Sequence, residues 1–307
     1  MPVRNESWPE GTPNWVDAQV DDVKAAADFY SRLFGWDIQD AGPEAGGYHM
    51  AFLGGSPVAG IGPKPENAGP LPSVWSTYLA VDDADATAAK ITDAGGQLMM
   101  PPFDVMDQGR MSVAFDTAGA AFGIWQSTGH HGIGRYNEPG AVCWNELHTR
   151  GYQPAREFYA SVFGFSYTDI GDGSEFVYST FERPKDGQTV GGISHDTNLP
   201  DGVPSYWLTW FQVQDPDATL EAAAALGAAT LFPPTDSPFG RMAILHRRRG
   251  HRPRRAGELR RPAGVGRARS RRRDRRLLDH PGRVPRRRPR LARRTPLHSP
   301  RRNAAGQ

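Results

Sequence analysis

In the run Cys143-Trp-Asn-Glu-Leu-His148, a carboxylate and an imidazole stand two residues apart, Glu146 and His148. Side chains at that spacing share one face of an extended strand, so the two groups would lie side by side. A carboxylate next to an imidazole raises its basicity toward neutral pH, which is what a general acid/base pair requires. The same two groups could act as displaced metal ligands, or be strand polar groups satisfied by backbone donors at a cleft wall. Asp17 occupies the matching place in Trp15-Val-Asp-Ala-Gln19 and reads as structural or substrate-positioning. The candidate catalytic residues are therefore Glu146, His148 and Asp17.

Around them the same alternation collects rings. Trp15 and Gln19 share the face of Asp17, and Trp144 shares that of Glu146; Ser76 pairs in parity with Tyr78, Tyr206 with Leu208 and Trp210, and Gly123 with Trp125. A broad aromatic wall with few polar anchors suits a planar or apolar small molecule, so Trp15, Gln19, Ser76, Tyr78, Trp125, Trp144 and Trp210 are candidate ligand-binding residues. The competing reading is that large aromatics on strands are core. Trp75 and Trp207 fall on the opposite parity and are assigned to the core. His49 and the pair His130-His131 read as exposed or locally satisfied. The single cysteine, Cys143, excludes an internal disulfide and a thiolate zinc cage, and reads as an inert buried thiol in a reducing, cytoplasmic setting. There is no phosphate-cradling glycine loop ahead of a helix and no nucleophile elbow, which disfavours nucleotide-dependent chemistry.

Something must position these faces, and the sequence shows it by repeating itself. Trp15, Phe29-Tyr30 and Phe34-Gly-Trp36 return as Trp144, Phe158-Tyr159 and Phe163-Gly-Phe165; Pro72-Ser-Val-Trp75 returns as Pro204-Ser-Tyr-Trp207, and Gly109-Arg-Met111 as Gly240-Arg-Met242. The order and near-constant offset indicate a duplicated domain. Within the first copy the patterns predict a strand over 15–20, a helix over 22–34 closed by Gly35, short strands over 48–53 and 58–61, and a strand over 75–81. A helix over 83–94 stopped by Gly95-Gly96 follows, then strands over 97–100, 111–115 and 121–126. Each copy thus holds two βαβββ units. Residues 127–140 are glycine-rich without apolar period and read as a linker. The domain limits are 12–128, a linker 129–140, and 141–245.

Charge divides the 307 residues differently. Residues 1–245 carry 12 Lys+Arg against 31 Asp+Glu, whereas 246–307 carry 24 basic residues, all Arg, against 3 acids, with no Phe, Trp or Tyr. The overall net charge of +2 and mean hydropathy of −0.57 average two unlike polymers. The tail reads as disordered. A nucleic-acid arm would account for its charge, but Lys and stacking aromatics are missing, and the change falls inside the strand-like Arg241-Met-Ala-Ile-Leu245. A one-base shift in a GC-rich gene accounts for it better: His246-Arg-Arg-Arg-Gly250 as CAY CGN CGN CGN GGN, less its first base, permits Thr-Asp-Ala-Glu-Gly, a counterpart to Asp116-Thr-Ala-Gly119. The second domain would then lack its last strand. No segment has the roughly 18 apolar residues needed to span a bilayer, and the N-terminus lacks secretory-signal character.

The Phe-Tyr pair before Phe-Gly-Trp or Phe-Gly-Phe, the run Val81-Asp-Asp-Ala-Asp-Ala into a helix ending in Gly-Gly, and Gly109-Arg-Met followed by Asp116-Thr-Ala-Gly-Ala-Ala-Phe together resemble the vicinal oxygen chelate superfamily, the fold of glyoxalase I, bleomycin-resistance proteins and extradiol dioxygenases. The resemblance spans residues 12 to about 245 and is nearest to tandem glyoxalase-like proteins of actinomycetes. It implies an α+β fold in which each domain forms a curved open sheet or half-barrel. It also implies metal ligands, usually His, Gln or Glu, at places that map onto Trp15, about Gly60, Ser76 and Gly123, and onto Trp144, about Gly192 and Leu208. None is a good ligand, so no cofactor is expected and a divalent metal is disfavoured, with no metal residue assigned. The expected function is binding of an aromatic or carbonyl-rich small molecule in the intact cleft of residues 12–128. The alternative is a lyase, isomerase or hydroxylase-like oxygenase using the cleft carboxylates and histidine. Neither a membrane nor a nucleic-acid partner is expected, and the protein is expected to be a monomer with pseudo-twofold domains or a homodimer.

Overall fold

A computed structural model describes residues 3–65, 73–171, 173 and 176–247. Of the basic tail, His246 and Arg247 continue a strand where disorder was expected, and residues 248–307 lie outside the described residues.

The first repeat runs β1 (Pro13–Val20), α1 (Val23–Phe34), β2 (Asp37–Asp40), β3 (His49–Leu53), β4 (Ser56–Pro63), β5 (Val74–Ala80), α2 (Ala84–Asp93), β6 (Gln97–Val105), β7 (Gly109–Phe115) and β8 (Ala121–Ser127). Its eight strands form one open sheet in the order β2-β3-β4-β1-β5-β8-β7-β6. The second repeat runs β9 (Val142–Thr149), α3 (Tyr152–Phe163), β10 (Ser166–Asp169), β11 (Tyr178–Glu182), β12 (Thr189–His195), β13 (Tyr206–Phe211), α4 (Pro216–Ala225), β14 (Ala228–Ser237) and β15 (Gly240–Arg247). There a five-stranded sheet, β10-β11-β12-β9-β13, stands apart from a two-stranded one, β14-β15. The architecture is mixed α+β: two repeats of open curved sheet with few helices.

Local chemistry sets the helix ends. Asp22, Asp83 and Asp215 each accept the backbone N–H three residues on, at 2.9 to 3.0 Å, satisfying a donor that the first turn leaves free. Gly35 and Gly164 end α1 and α3 in the left-handed conformation, with φ of 73° and 71°.

The repeats share a core. Leu79, Ile91, Phe122 and Ile124 of the first pack with Leu147, Phe158, Tyr159, Phe163 and Trp207 of the second. Burying side chains of this size contributes roughly 1.5–3 kcal/mol each. The core's polar atoms are paired: Trp207 donates to the Tyr159 hydroxyl at 2.9 Å, which donates to Asp116 at 3.1 Å, and Asp116 also accepts the N–H groups of Ala118 and Ala120. Thr77 and Thr209 both donate to Oδ1 of Asn145, at 3.1 and 3.0 Å, where β5, β9 and β13 meet. Trp207 is buried, as its parity implies, while Trp75 is half-buried among Tyr30, Trp36 and Phe211.

Three elements depart most from the sequence reading. β2 and its counterpart β10 were not foreseen, because Asp37-Ile-Gln-Asp40 and Ser166-Tyr-Thr-Asp169 are short, largely exposed and without apolar alternation. β6 runs to Val105 rather than stopping at Met100, carrying Pro101 and Pro102 on a sheet edge, where a missing N–H breaks no ladder.

Candidate functional site

In the second repeat, strand register assembles one face. Across β9 and β13, Trp144 stands opposite Trp210, Glu146 opposite Leu208 and His148 opposite Tyr206; on the other side Glu146 stands opposite Gly192 of β12. Glu146 is the hub. Its Oε1 lies 2.9 Å from His148 Nε2 and accepts Trp210 Nε1–H at 2.9 Å, while Oε2 accepts the Tyr178 hydroxyl at 2.8 Å. Trp144 Nε1–H donates to that hydroxyl at 2.8 Å. The remaining imidazole nitrogen, Nδ1, is 3.3 Å from Asp196 Oδ2, and the Tyr206 ring lies parallel to the imidazole with centroids 5.2 Å apart.

Electrostatics in this cluster favours an ion pair. Burial opposes ionisation of Glu146, but the hydrogen bond and charge of His148 and the donors Trp210 and Tyr178 outweigh it and lower its pKa. Burial likewise opposes a charged His148, and Glu146 and Asp196 outweigh that, raising its pKa. A doubly protonated imidazole donates to a carboxylate from each nitrogen. Trp144, His148, Tyr206, Leu208 and Trp210 remain partly open to solvent around the hub.

The first repeat builds the same floor and closes it. Trp15 stands opposite Tyr78, Asp17 opposite Ser76 and Gly60, and Tyr78 opposite Gly123. Trp15 Nε1–H donates to the Tyr48 hydroxyl at 2.9 Å, and Tyr78 donates to Asp17 Oδ2 at 3.0 Å, while Asp17 Oδ1 is buried without a partner. No cation stands where His148 does. Burial therefore prevails over the Tyr78, Ser76 and Tyr48 hydroxyls and pushes the carboxyl up to about 7. Trp15, Asp17, Tyr78 and Trp125 are only 4%, 7%, 4% and 6% exposed, and Ser76 and Gln19 are half-buried.

The cover comes from the segment read as a linker. His130 meets Trp15 edge-on at 4.3 Å, and its carbonyl accepts Trp125 Nε1–H at 2.9 Å. Burial lowers the His130 pKa to about 4. Ile133, buried, donates its N–H to Asn14 O at 2.8 Å, and Trp8 Nε1–H donates to Ile133 O at 3.0 Å. An accessible hollow in residues 12–128 was expected; the structure instead shuts that aromatic floor away and leaves the second-repeat floor open. Cys143 is half-buried, with its thiol pushed up to about 11 by burial, and so stays protonated.

The donor set does not fit the chelate that the resemblance implies. A side chain longer than glycine at Gly60 would overlap the Tyr48 hydroxyl, at Gly192 the Tyr178 hydroxyl, and at Gly123 the Tyr78 ring. Tyrosines thus fill the space in which ligand side chains would start. Among the described residues no group of three or more His, Cys, Asp or Glu is arranged to hold a metal ion. Tyr48, Tyr178 and Asp196 were missed in the sequence. The two tyrosines recur at an offset of 130, a signal the repeat contains; Asp196 lies just past the end of β12 and carries none.

Paired units in tandem repeats, three of them βαβββ and the last one strand short among the described residues, with a polar cluster on the first strand of each repeat, define the class. The chain belongs to the Glyoxalase/Bleomycin resistance protein/Dioxygenase superfamily, whose model matches residues 12–124 and 144–254. It is 43% identical over 249 residues to the Mycobacterium bovis protein named "Putative glyoxylase CFP32", covering 80% of this chain and 94% of that one. It is 36% identical over 253 residues to the "Anthracycline biosynthesis protein DnrV" of Streptomyces peucetius, covering 76% and 89%. Among solved structures, the Mn(II)-bound glyoxalase from Novosphingobium aromaticivorans shares the fold at 19% identity and a TM-score of 0.50, covering 74% of this chain and 75% of that chain. No helix among the described residues is long and apolar enough to cross a membrane.

Proposed function

We propose that the second-repeat face binds a planar aromatic or carbonyl-rich small molecule by stacking, without a chelated metal. The observation that carries this is the pairing of partly open rings, Trp144, Tyr206 and Trp210, with a Glu146–His148 hub whose polar atoms are already engaged. A saturated hub is rigid and orients the rings, and stacking on indole and phenol faces is worth roughly 0.5–1.5 kcal/mol per pair beyond area burial. A relative named for anthracycline biosynthesis supports an aromatic ligand. The test is a fluorescence titration with planar quinones and flavonoid-like phenols. Saturable quenching, weakened by Trp210→Ala and unaffected by EDTA, is the expected result. Stoichiometric Fe, Mn, Ni or Zn in the purified protein, lost on Glu146→Ala or His148→Ala, would overturn it.

A second reading rests on His148 lying between two carboxylates. When a substrate displaces one of them, the imidazole becomes a proton donor or acceptor positioned by the other, the requirement of lyase or isomerase chemistry. Turnover of a bound ligand that is abolished by His148→Gln, with binding retained, would favour this reading over pure binding.

A further inference from the structure

The two repeats differ at one position in their sheets. In the first, β8 lies between β5 and β7, parallel to β5 from Tyr78↔Gly123 to Ala80↔Trp125 and antiparallel to β7 from Gly109↔Ser127 to Phe115↔Ala121. In the second, among the described residues, β13 pairs only with β9, and β15 only with β14.

The β14–β15 hairpin has nonetheless kept its station. Arg241 reaches Asp217 in the first turn of α4 at 2.6 Å and Asp236 of β14 at 3.0 Å, as Arg110 reaches Asp85 of α2 at 2.7 Å and Asp104 of β6 at 2.9 Å. The same clamp holds each hairpin to its helix, and each helix follows directly on β5 or β13. By this correspondence β13 and β15 are the counterparts of the two strands that flank β8 in the first repeat, and no described strand pairs with both of them. Exposure agrees: Gly109, Ser112 and Ala114 of β7 are buried, whereas Gly240 is exposed and Ala243 and Leu245 are half-buried at the equivalent places on β15. Tyr78 is likewise buried where its counterpart Trp210 is not.

We propose that a strand-accepting slot lies between β13 and β15, that its occupant is one extended segment with the chemistry of Ala121–Ser127 running parallel to β13, and that the shifted reading of the gene beyond Leu245 encodes that segment. An offset of 131 aligns Ala121–Ser127 with Arg-Pro-Arg-Arg-Ala-Gly-Glu at 252–258, residues that lie outside those described. By composition they are the wrong occupant. Pro253 has no N–H to give to a two-sided ladder, and three arginines in the segment, Arg252, Arg254 and Arg255, would have to lose water to enter it. In Ala121–Ser127, Phe122 and Ile124 alternate toward the shared core and Gly123 and Trp125 toward the opposite face, the pattern a central strand needs. The inference is independent of what the second-repeat face binds.

The experiment adds a synthetic peptide of Ala121–Ser127, with lysines appended for solubility, to the full-length chain. It reads stoichiometry by calorimetry and amide hydrogen exchange in β13 and β15. One peptide bound per chain, slowed exchange in both strands, and about tenfold weaker binding by the Ile124→Pro peptide are expected. A chain with its frame restored after codon 245 is expected to bind none, since its own strand fills the slot. The proposal is overturned if exchange in β13 does not change, if the peptide binds only after residues 248–307 are removed, or if the frame-restored chain binds it equally well.

Discussion

The two floors share a plan of Trp, Tyr and acid, yet one holds under cover a carboxyl whose pKa burial raises to about 7, and the other an ion pair beneath partly open rings. Asp17 sits beside Gln19, so no cation compensates a negative charge there and only hydroxyls stabilise it; Glu146, one methylene longer, reaches His148, Trp210 and Tyr178. Access differs for a second reason. In the first repeat β8 leads directly into residues 128–134, which lay His130 on Trp15; in the second, Phe176 and Phe239 approach Tyr178 instead, and Trp144 and Trp210 stay partly open. Under the proposed function one copy serves as scaffold and the other presents the face that meets the ligand.

The largest expected effect separates the copies by pH. Asp17 ionises near 3.8 when unfolded and about 7 when folded, so its contribution is fully present below pH 3.8 and is lost as pH rises through about 7. The loss amounts to at most about 4 kcal/mol. Asp17→Asn should abolish this slope and leave the protein more stable than the parent at pH 8; urea melts at pH 5 and 8 that show parallel slopes for both proteins would refute the assignment. The second repeat combines both signs. The Glu146 contribution is present above pH 4.5 and is lost as pH falls through its lowered folded value, and that of His148 is present below pH 6.5 and is lost as pH rises through its raised one.

Next in size, Glu146→Ala strands the Trp210 and Tyr178 donors together with His148 and should cost about 3 kcal/mol at pH 6 by urea denaturation. Smaller again, Trp210→Ala should weaken ligand binding about tenfold while Trp15→Ala, beneath its cover, leaves affinity within about twofold. Equal losses in titrations of the two variants would mean that both faces bind. The smallest effect is that of His130→Ala, which should lower stability by about 1 kcal/mol and raise acrylamide quenching of the first-repeat tryptophans.

Much of this organisation was readable in the chain because it is local. Asp22 and Asp83 announce helix starts, Gly35 an end, and the parity of Trp144, Glu146 and His148 their common face. What escaped is set across strands. Tyr48 turns toward Trp15 because Gly60 leaves room for its ring, and no window around Tyr48 contains that fact. Residues 129–134 lack apolar period and so read as a tether, yet Ile133 is buried by contacts with partners more than a hundred residues away. Asp196 joins the site only through the parallel pairing of β12 with β9.

Asn145 gives the duplication a direction. It serves Thr77 and Thr209 together, while the position opposite Thr77 on β1 is Val16. Two identical halves would bring either a pair of amides or a pair of isopropyl groups to that crossing, the first crowded and the second leaving both hydroxyls unanswered. The halves are thus complementary rather than interchangeable at that crossing.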